Sequence, residues 1–385
     1  MEVNRHRLNN FLGLAIFAFL MFWVGGRDLH ANRVSLWQGL FKTKRIMFVG
    51  FREHWDEKRP YKCSCGRGLR LIVNSSERPR DPADIKGADL VIFALGGGPL
   101  PEKWKEYRQF RHKGQKWLFA TREPPLTCQG LNPPEEFRFD TYHWSYTYSP
   151  NASFPSPYGK YIPGPSVRPL YSAKKVNWAE NKTNLISWMS SNCPLPDFKW
   201  NRRNFILKLQ KYLSVDMYGK CGNLSCPKKS EICFDKLKTY KFALVLENSC
   251  CPNYISEKFW KAIANYNQVP VVFGALREEY ENVAPPNSYI FIEDFNSLKE
   301  LADYLKLIDK NDTLYGTFHE WRKYGRVQTA FLPNELVYHC DSLCRVGAKL
   351  DDPSPEWNSF TFDPYGVSWL GGCRYCQDAI DKVIH

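Results

Sequence analysis

From about Lys44 onward the chain is a succession of short apolar runs separated by polar stretches with helical spacing. A chain so patterned folds as alternating strands and helices stacked in layers, the α/β class. Arg45 to Phe51, Leu69 to Val73, Asp89 to Leu95 and Trp117 to Ala120 read as strands. After Thr121 comes a stretch rich in proline and aromatic residues, from Pro124-Pro125 to Pro165, which cannot be regular helix and reads as loop plus interdomain linker. A second series starts near Asn184, with strands Leu185 to Met189, Val215 to Tyr218, Phe242 to Leu246, Val269 to Phe273 and Tyr289 to Ile292. Helices are expected around Arg202 to Tyr212, Ser256 to Asn265 and Ser297 to Leu307. Each strand–helix–strand step implies parallel pairing with a right-handed crossover, so two doubly wound lobes in tandem are expected. A length of 385 residues suits two domains.

The N-terminus adds a membrane expectation. Arg5 and Arg7 precede an apolar run from Phe11 to Val24 that ends at Gly25-Gly26. At about 1.5 Å per residue the run is roughly 21 Å long, short for a ~30 Å hydrocarbon core unless flanking residues snorkel or the bilayer thins. A signal anchor over 11–26 is expected, with a cytosolic tail over 1–10, a stem over 27–43 and the remainder in the lumen. A cleaved signal peptide is the alternative, although Arg27 and Asp28 follow directly and the small-residue context near Ala31 is poor.

Two features fit a lumenal body. Sequons for N-glycosylation stand at Asn74, Asn151, Asn181, Asn223 and Asn311. Of the thirteen cysteines, eleven fall in close groups, among them Cys63 with Cys65 and Cys373 with Cys376, and read as disulfides in an oxidising compartment. Zinc is disfavoured, because no second close Cys or His pair accompanies Cys373 and Cys376 at finger-like distance. An odd cysteine count leaves at least one thiol free or paired with another chain. The net charge of +13 favours an anionic partner, yet no run of five or six basic residues occurs, so a nucleotide or phosphate fits better than nucleic acid.

In open parallel sheets, ligands sit beyond the carboxyl ends of the strands. The segment Glu247-Asn248-Ser249-Cys250-Cys251-Pro252-Asn253-Tyr254-Ile255-Ser256-Glu257-Lys258 follows such a strand and mixes amide, hydroxyl, carboxylate and ammonium groups. Ser256 is placed to cap the next helix, whose N-terminus favours a phosphate. A carboxylate here can clamp ribose hydroxyls while a lysine neutralises a diphosphate.

LENSCCPNYISEKFWKAIANYNQVPVVFGA resembles the signature of the α1,3-fucosyltransferase family, FENSxxxDYITEKLW followed by a VPVVLG strand. The resemblance continues through Tyr280, Pro285-Pro286, Glu293-Asp294-Phe295 and Trp321-Arg322. Upstream it takes in Trp188, Ser191, Asn192 and Cys193, then Val215 to Gly219, so that it covers roughly Gly114 to Cys376. It implies a GT-B fold, with an acceptor-side lobe over 44–175, a GDP-fucose lobe over 176–345 and a tail over 346–385 that packs back on the first lobe. It also implies fucose transfer from GDP-fucose with inversion to a glycan or protein-linked hydroxyl, an α1,3 linkage, a Golgi membrane setting of type II, and no obligatory cofactor, a divalent metal being at most stimulatory. Lys258 and Arg202 would balance charge on the departing GDP, Glu257 would hold the ribose, and Asn248 and Tyr254 would line the nucleotide pocket. Asn253 stands where the family commonly has Asp.

An inverting transferase needs one base to deprotonate the attacking hydroxyl. Glu123 ends the strand that begins at Trp117, and GQKWLFATREPP resembles the family's GQRWVWFxxESP, which places Glu123 on the proposed base, with Pro124 where the family has Ser. No His-His-Arg motif follows the Asp89 to Phe93 strand; Ala94-Leu95-Gly96-Gly97-Gly98 stands there, and the acceptor stays open between a core N-glycan and a protein-linked hydroxyl. The family's late Cys-x-x-Cys implies that Cys373 and Cys376 bridge to Cys63 and Cys65.

Overall fold

The computed structural model describes residues 42–50, 61–75, 81–94, 103–164, 176–192, 200–227, 230–330 and 340–384. The apolar run expected to meet the membrane and the glycines at 96–98 lie outside these residues. Among the described residues no helix is long and apolar enough to cross a membrane.

The first lobe is built on seven strands: β1 (Lys42–Val49), β2 (Tyr61–Ser64), β3 (Leu69–Ser75), β4 (Leu90–Ala94), β5 (Lys116–Ala120), β6 (Trp144–Thr147) and β7 (Phe154–Pro155). They lie in the order β2-β3-β1-β4-β5-β6-β7, all parallel except β2. Strict two-residue alternation sends β1 and β4 into two cores, as both-faces-buried strands require. Ile46, Phe48, Leu90 and Ile92 pack on one face, and Val49, Val91 and Phe93 on the other.

A short antiparallel ribbon pairs β8 (Gly159–Pro163), which follows the first sheet in sequence, with β14 (Gly325–Thr329), which follows the second. The second lobe holds β9 (Asn184–Met189), β10 (Asp216–Tyr218), β11 (Tyr240–Leu246), β12 (Val269–Phe273) and β13 (Ile290–Phe291), parallel throughout in the order β10-β9-β11-β12-β13. Its helices include α1 (Arg202–Leu209), α2 (Glu231–Lys238), α3 (Glu257–Ala264) and α4 (Leu298–Asp309). One apolar cluster is continuous across the lobes, joining Phe93 and Trp117 of the first with Val245, Tyr254 and Trp260 of the second.

Two expectations change. The segment after Thr121 is not only loop: β6 lies inside it as a fully buried strand paired to β5. Four residues buried on both faces carry no alternation, and prolines on either side mask them. The disulfides also differ from the pairing that the resemblance implied. Cys63 joins Cys340 and Cys65 joins Cys344, while Cys376 joins Cys250 and Cys373 joins Cys251. Cys340 and Cys344 are one turn apart on α5 (Cys340–Gly347), whose Leu343 and Val346 pack beside Cys63 and Leu71, so that helix and not the later pair reaches the early cysteines. Cys226 and Cys233 form a further bridge, and Cys128 is a buried free thiol.

The end of the chain touches both lobes in turn. Asp351 pairs with Lys42, Asp363 with Arg138, and the Trp144 indole donates to the Trp357 carbonyl at 3.1 Å, all on the first lobe. Beyond Trp369 the tail crosses over, and α6 (Cys376–Ile384) buries Ala379, Ile380 and Val383 in the core of the second lobe.

Candidate active site

β11 is buried along its whole length and delivers Glu247 to the carboxyl edge of the second sheet. Glu247 is fully buried, and its carboxylate is saturated by one turn of chain: Oε1 accepts from the Ser256 N–H at 2.8 Å, while Oε2 accepts from the Ser256 hydroxyl and from Lys258 Nζ, each at 2.9 Å. Ser256 is the N-cap of α3, its Oγ accepting from the Lys258 N–H. The cap and the ion pair therefore share one carboxylate, which orients both the helix start and the ammonium. Glycine at 274 follows from this arrangement, since a Cβ there would stand 2.7 Å from that of Glu247.

A cleft of about 790 Å³ opens above this edge. Arg202, Asn248, Tyr254, Glu257 and Lys258 all line it, as does Glu123. Among the described residues in that lining, Glu123 alone comes from the first lobe, carried there by β5 and held by its N–H donating to Thr121 Oγ1 at 3.0 Å. Arg122 secures the same turn, with its guanidinium over the Tyr158 ring and donating to the Ala330 carbonyl, and the Tyr158 hydroxyl donates back to the Arg122 carbonyl at 2.8 Å. Arg202, at the first turn of α1, donates to the carbonyls of Leu246 and Asn192 at 3.2 and 2.7 Å, and Trp200 donates to the carbonyl of Glu247 at 3.0 Å. Asn253 has φ 58°, the left-handed region that asparagine tolerates well, so the Asp-to-Asn departure suits the local backbone.

The charges are coupled. Burial raises the Glu123 carboxyl above the ordinary glutamate range; Lys258 opposes that shift, Glu257 and Glu247 add to it, and Arg122 opposes it. Burial draws Lys258 down, but Glu247 and Glu257 outweigh it and leave the ammonium above its ordinary value. For Glu257 burial works upward and is overcome by Lys258 and Lys261, so this carboxylate stays ionised below the usual range. The site thus holds one carboxyl tuned upward facing a lysine locked in its charged form. Asn248 Oδ1 is buried with no hydrogen-bond partner in the protein, an orphaned acceptor on the cleft wall.

Glu247 and Trp200 carry no role in the sequence reading. A carboxylate directly after a seven-residue buried strand was the available signal, because such a group must find internal donors. The far wall was also missed: Phe234 on α2, clipped by the Cys226–Cys233 bridge, faces Tyr266 with ring centroids 5.2 Å apart. Cys373 and Cys376, the pair with zinc-like spacing, are both in disulfides, and no group of three or more potential metal ligands occurs among the described residues. Of the sequon asparagines, Asn151, Asn181, Asn223 and Asn311 are exposed, and Asn74 is half-buried in β3.

Residues 179–361 match the family model described as Glycosyltransferase family 10 (fucosyltransferase) C-term. The chain is 38% identical to the Glycoprotein 3-alpha-L-fucosyltransferase A of Drosophila melanogaster over 61% of its own length and 44% of that protein's. It is 33% identical to the 3-galactosyl-N-acetylglucosaminide 4-alpha-L-fucosyltransferase FUT3 of Bos taurus over 76% of its own length and 72% of that protein's. Against the first few such relatives the chain spans less than two thirds of their length, from 44% to 62%. A crystal structure of an alpha1,3-fucosyltransferase superposes with a TM-score of 0.51 at 17% identity, covering 84% of this chain and 93% of that one, a likeness of fold. With the motif-bearing strand, cap and helix all inside these matched regions, the chain belongs to glycosyltransferase family 10, the fucosyltransferases.

Proposed function

We propose that this chain transfers L-fucose from GDP-fucose to a hydroxyl of a glycan or protein-linked acceptor, with inversion and an α1,3 linkage, on a GT-B framework. The observation that carries the reading is the placement of Glu123 in a cleft otherwise walled by the second lobe, with Lys258 and Glu257 on the same cleft. In this reading Glu123 accepts the proton of the attacking hydroxyl as the fucosyl–phosphate bond breaks. Lys258 and the N-terminus of α3 stabilise the charge growing on the diphosphate. Glu257 accepts from the ribose hydroxyls, and Asn248 and Tyr254 line the nucleotide. Arg202 has two N–H groups committed to carbonyls of the site's own backbone and directs its remaining charge at the leaving group.

The same reading places residues 1–10 in the cytosol, 11–26 in a Golgi membrane as a signal anchor, 27–43 in a stem and the rest in the lumen. Residues 44–175 are its acceptor-side lobe, 176–345 its donor lobe and 346–385 its tail. A lumenal body agrees with disulfides throughout the described chain.

The test is incubation of the full chain with GDP-fucose and a panel of glycans, glycopeptides and folded glycoproteins, with product linkage read by mass spectrometry and NMR. Fucosylated product is expected from at least one acceptor class. Binding of a different sugar nucleotide in place of GDP-fucose would overturn the donor, and GDP-fucose binding without transfer to any acceptor would mark a non-catalytic binding protein.

A further inference from the structure

A second cleft, of about 350 Å³, opens on the first lobe between β6 and the segment that crosses it at 356–369. Its volume falls in the range of small-molecule sites, about 300–1,000 Å³. Ser149, Ser153, Glu356, Trp357 and Trp369 line it. Their hydroxyls, carboxylate and indole N–H can exchange hydrogen bonds with the O–H groups of a sugar, and the half-buried Trp357 offers it apolar surface. Trp369 is 1% exposed, and its indole N–H has no acceptor in the protein.

All three positions of one sequon, Asn151, Ala152 and Ser153, line this same cleft. Asn151 is exposed, at the turn after β6, with its backbone N–H donating to Ser149 Oγ. We propose that an N-linked glycan on Asn151 folds back on the protein and seats its first sugars in this cleft, stapling the β6 turn to the crossing segment at 356–369. A single sugar binds a protein weakly, but attachment at the rim gives it an effective concentration on the order of millimolar, which is enough to keep a weak site filled. The seat is independent of fucosyl transfer: it requires only that the chain meet the glycosylation machinery of the secretory pathway.

The experiment uses the full chain made in a glycosylating eukaryotic host, with occupancy of each sequon read by glycopeptide mass spectrometry. The native protein is then treated with a peptide-N-glycosidase, and release at Asn151 is followed against Asn181 and Asn311, which are equally exposed internal controls. Release at Asn151 should be about tenfold slower in the native protein, a ratio that a docking free energy near 1.4 kcal/mol sets, and equal to the controls after denaturation. Glu356→Ala should keep occupancy and quicken native release. No glycan at Asn151, native release as fast as at the controls, or slow release indifferent to Glu356→Ala would each overturn the seat.

Discussion

At the scale of single residues, the division of labour among Glu123 and Glu257 on the cleft and Glu247 behind it decides what the site can do. Glu123→Gln keeps the volume but cannot accept a proton, so turnover should fall by about 10²–10⁴ while GDP-fucose affinity stays close to that of the parent. Kinetics and donor binding on one confirmed acceptor check this, and parent-like turnover would place the base elsewhere. Because burial raises the Glu123 carboxyl, a base at this position is protonated, and so inactive, up to a pH above the ordinary value of 4.5. The acid limb of kcat/KM should therefore lie above pH 4.5 and should vanish from the residual activity of Glu123→Gln. Glu247 acts at one remove, holding Lys258 Nζ at 2.9 Å without lining the cleft itself. Glu247→Gln retains an acceptor for Ser256 but frees the ammonium, so GDP-fucose affinity should weaken together with turnover, as in Lys258→Ala. A Glu247→Gln protein with parental donor affinity would show that Lys258 needs no clamp.

At the scale of elements, the loop from Cys250 to Tyr254 is held by two bridges to the tail and by the Arg374 N–H donating to the Cys250 carbonyl at 2.8 Å. Arg374 also pairs bidentately with Glu293. The loop closed by Cys250–Cys376 spans 126 residues, so its entropic contribution is about 5 kcal/mol, with less from the bridge nested beside it. Replacing Cys373 and Cys376 by Ser should lower the melting temperature and weaken donor binding more than it disturbs far-UV circular dichroism; unchanged GDP-fucose affinity would show that the loop keeps its shape unaided. The five strands of the second sheet and β1, β3, β4 and β5 of the first were legible because buried parallel strands are bounded apolar runs, and Ser256 was legible as a cap. β6 was hidden among prolines, and β2 was hidden as a four-residue edge strand with a single buried side chain, Cys63. The approach of Glu123 to Lys258 was legible only through the resemblance, since periodicity places a residue on a face of its own lobe and says nothing of the lobe opposite. The disulfide partners were illegible because cysteine spacing does not encode which surface a distant helix will cover.

At the scale of the whole molecule, two histidines among the described residues are buried in neutral form. His143 is lowered to about 3 by burial and by Arg111 and Lys116, with its Nδ1 accepting from the Trp117 N–H at 3.1 Å. His319 is lowered well below 6.5 by burial and by Arg322 and Lys182, and it stacks on Trp178 at 4.8 Å. Both folded values lie below the unfolded one, so the unfolded chain binds more protons in acid. The stability they support is complete above pH 6.5 and declines as pH falls below it, down toward 3 for His143, by up to about 1.4 kcal/mol per pH unit for each ring. Denaturant midpoints at pH 7.5 and 5.5 should show the loss, and His143→Gln should flatten the slope; a midpoint constant over this range would mean that the rings titrate normally. The route of the tail also sets an order of events. Cys250 and Cys251 emerge from the ribosome more than a hundred residues before their partners, so they wait as adjacent thiols while both sheets can already form. In the function proposed above, the loop that lines the nucleotide is thus the last part of the molecule to be finished, and a message truncated ahead of Cys373 leaves it without its two bridges to the tail.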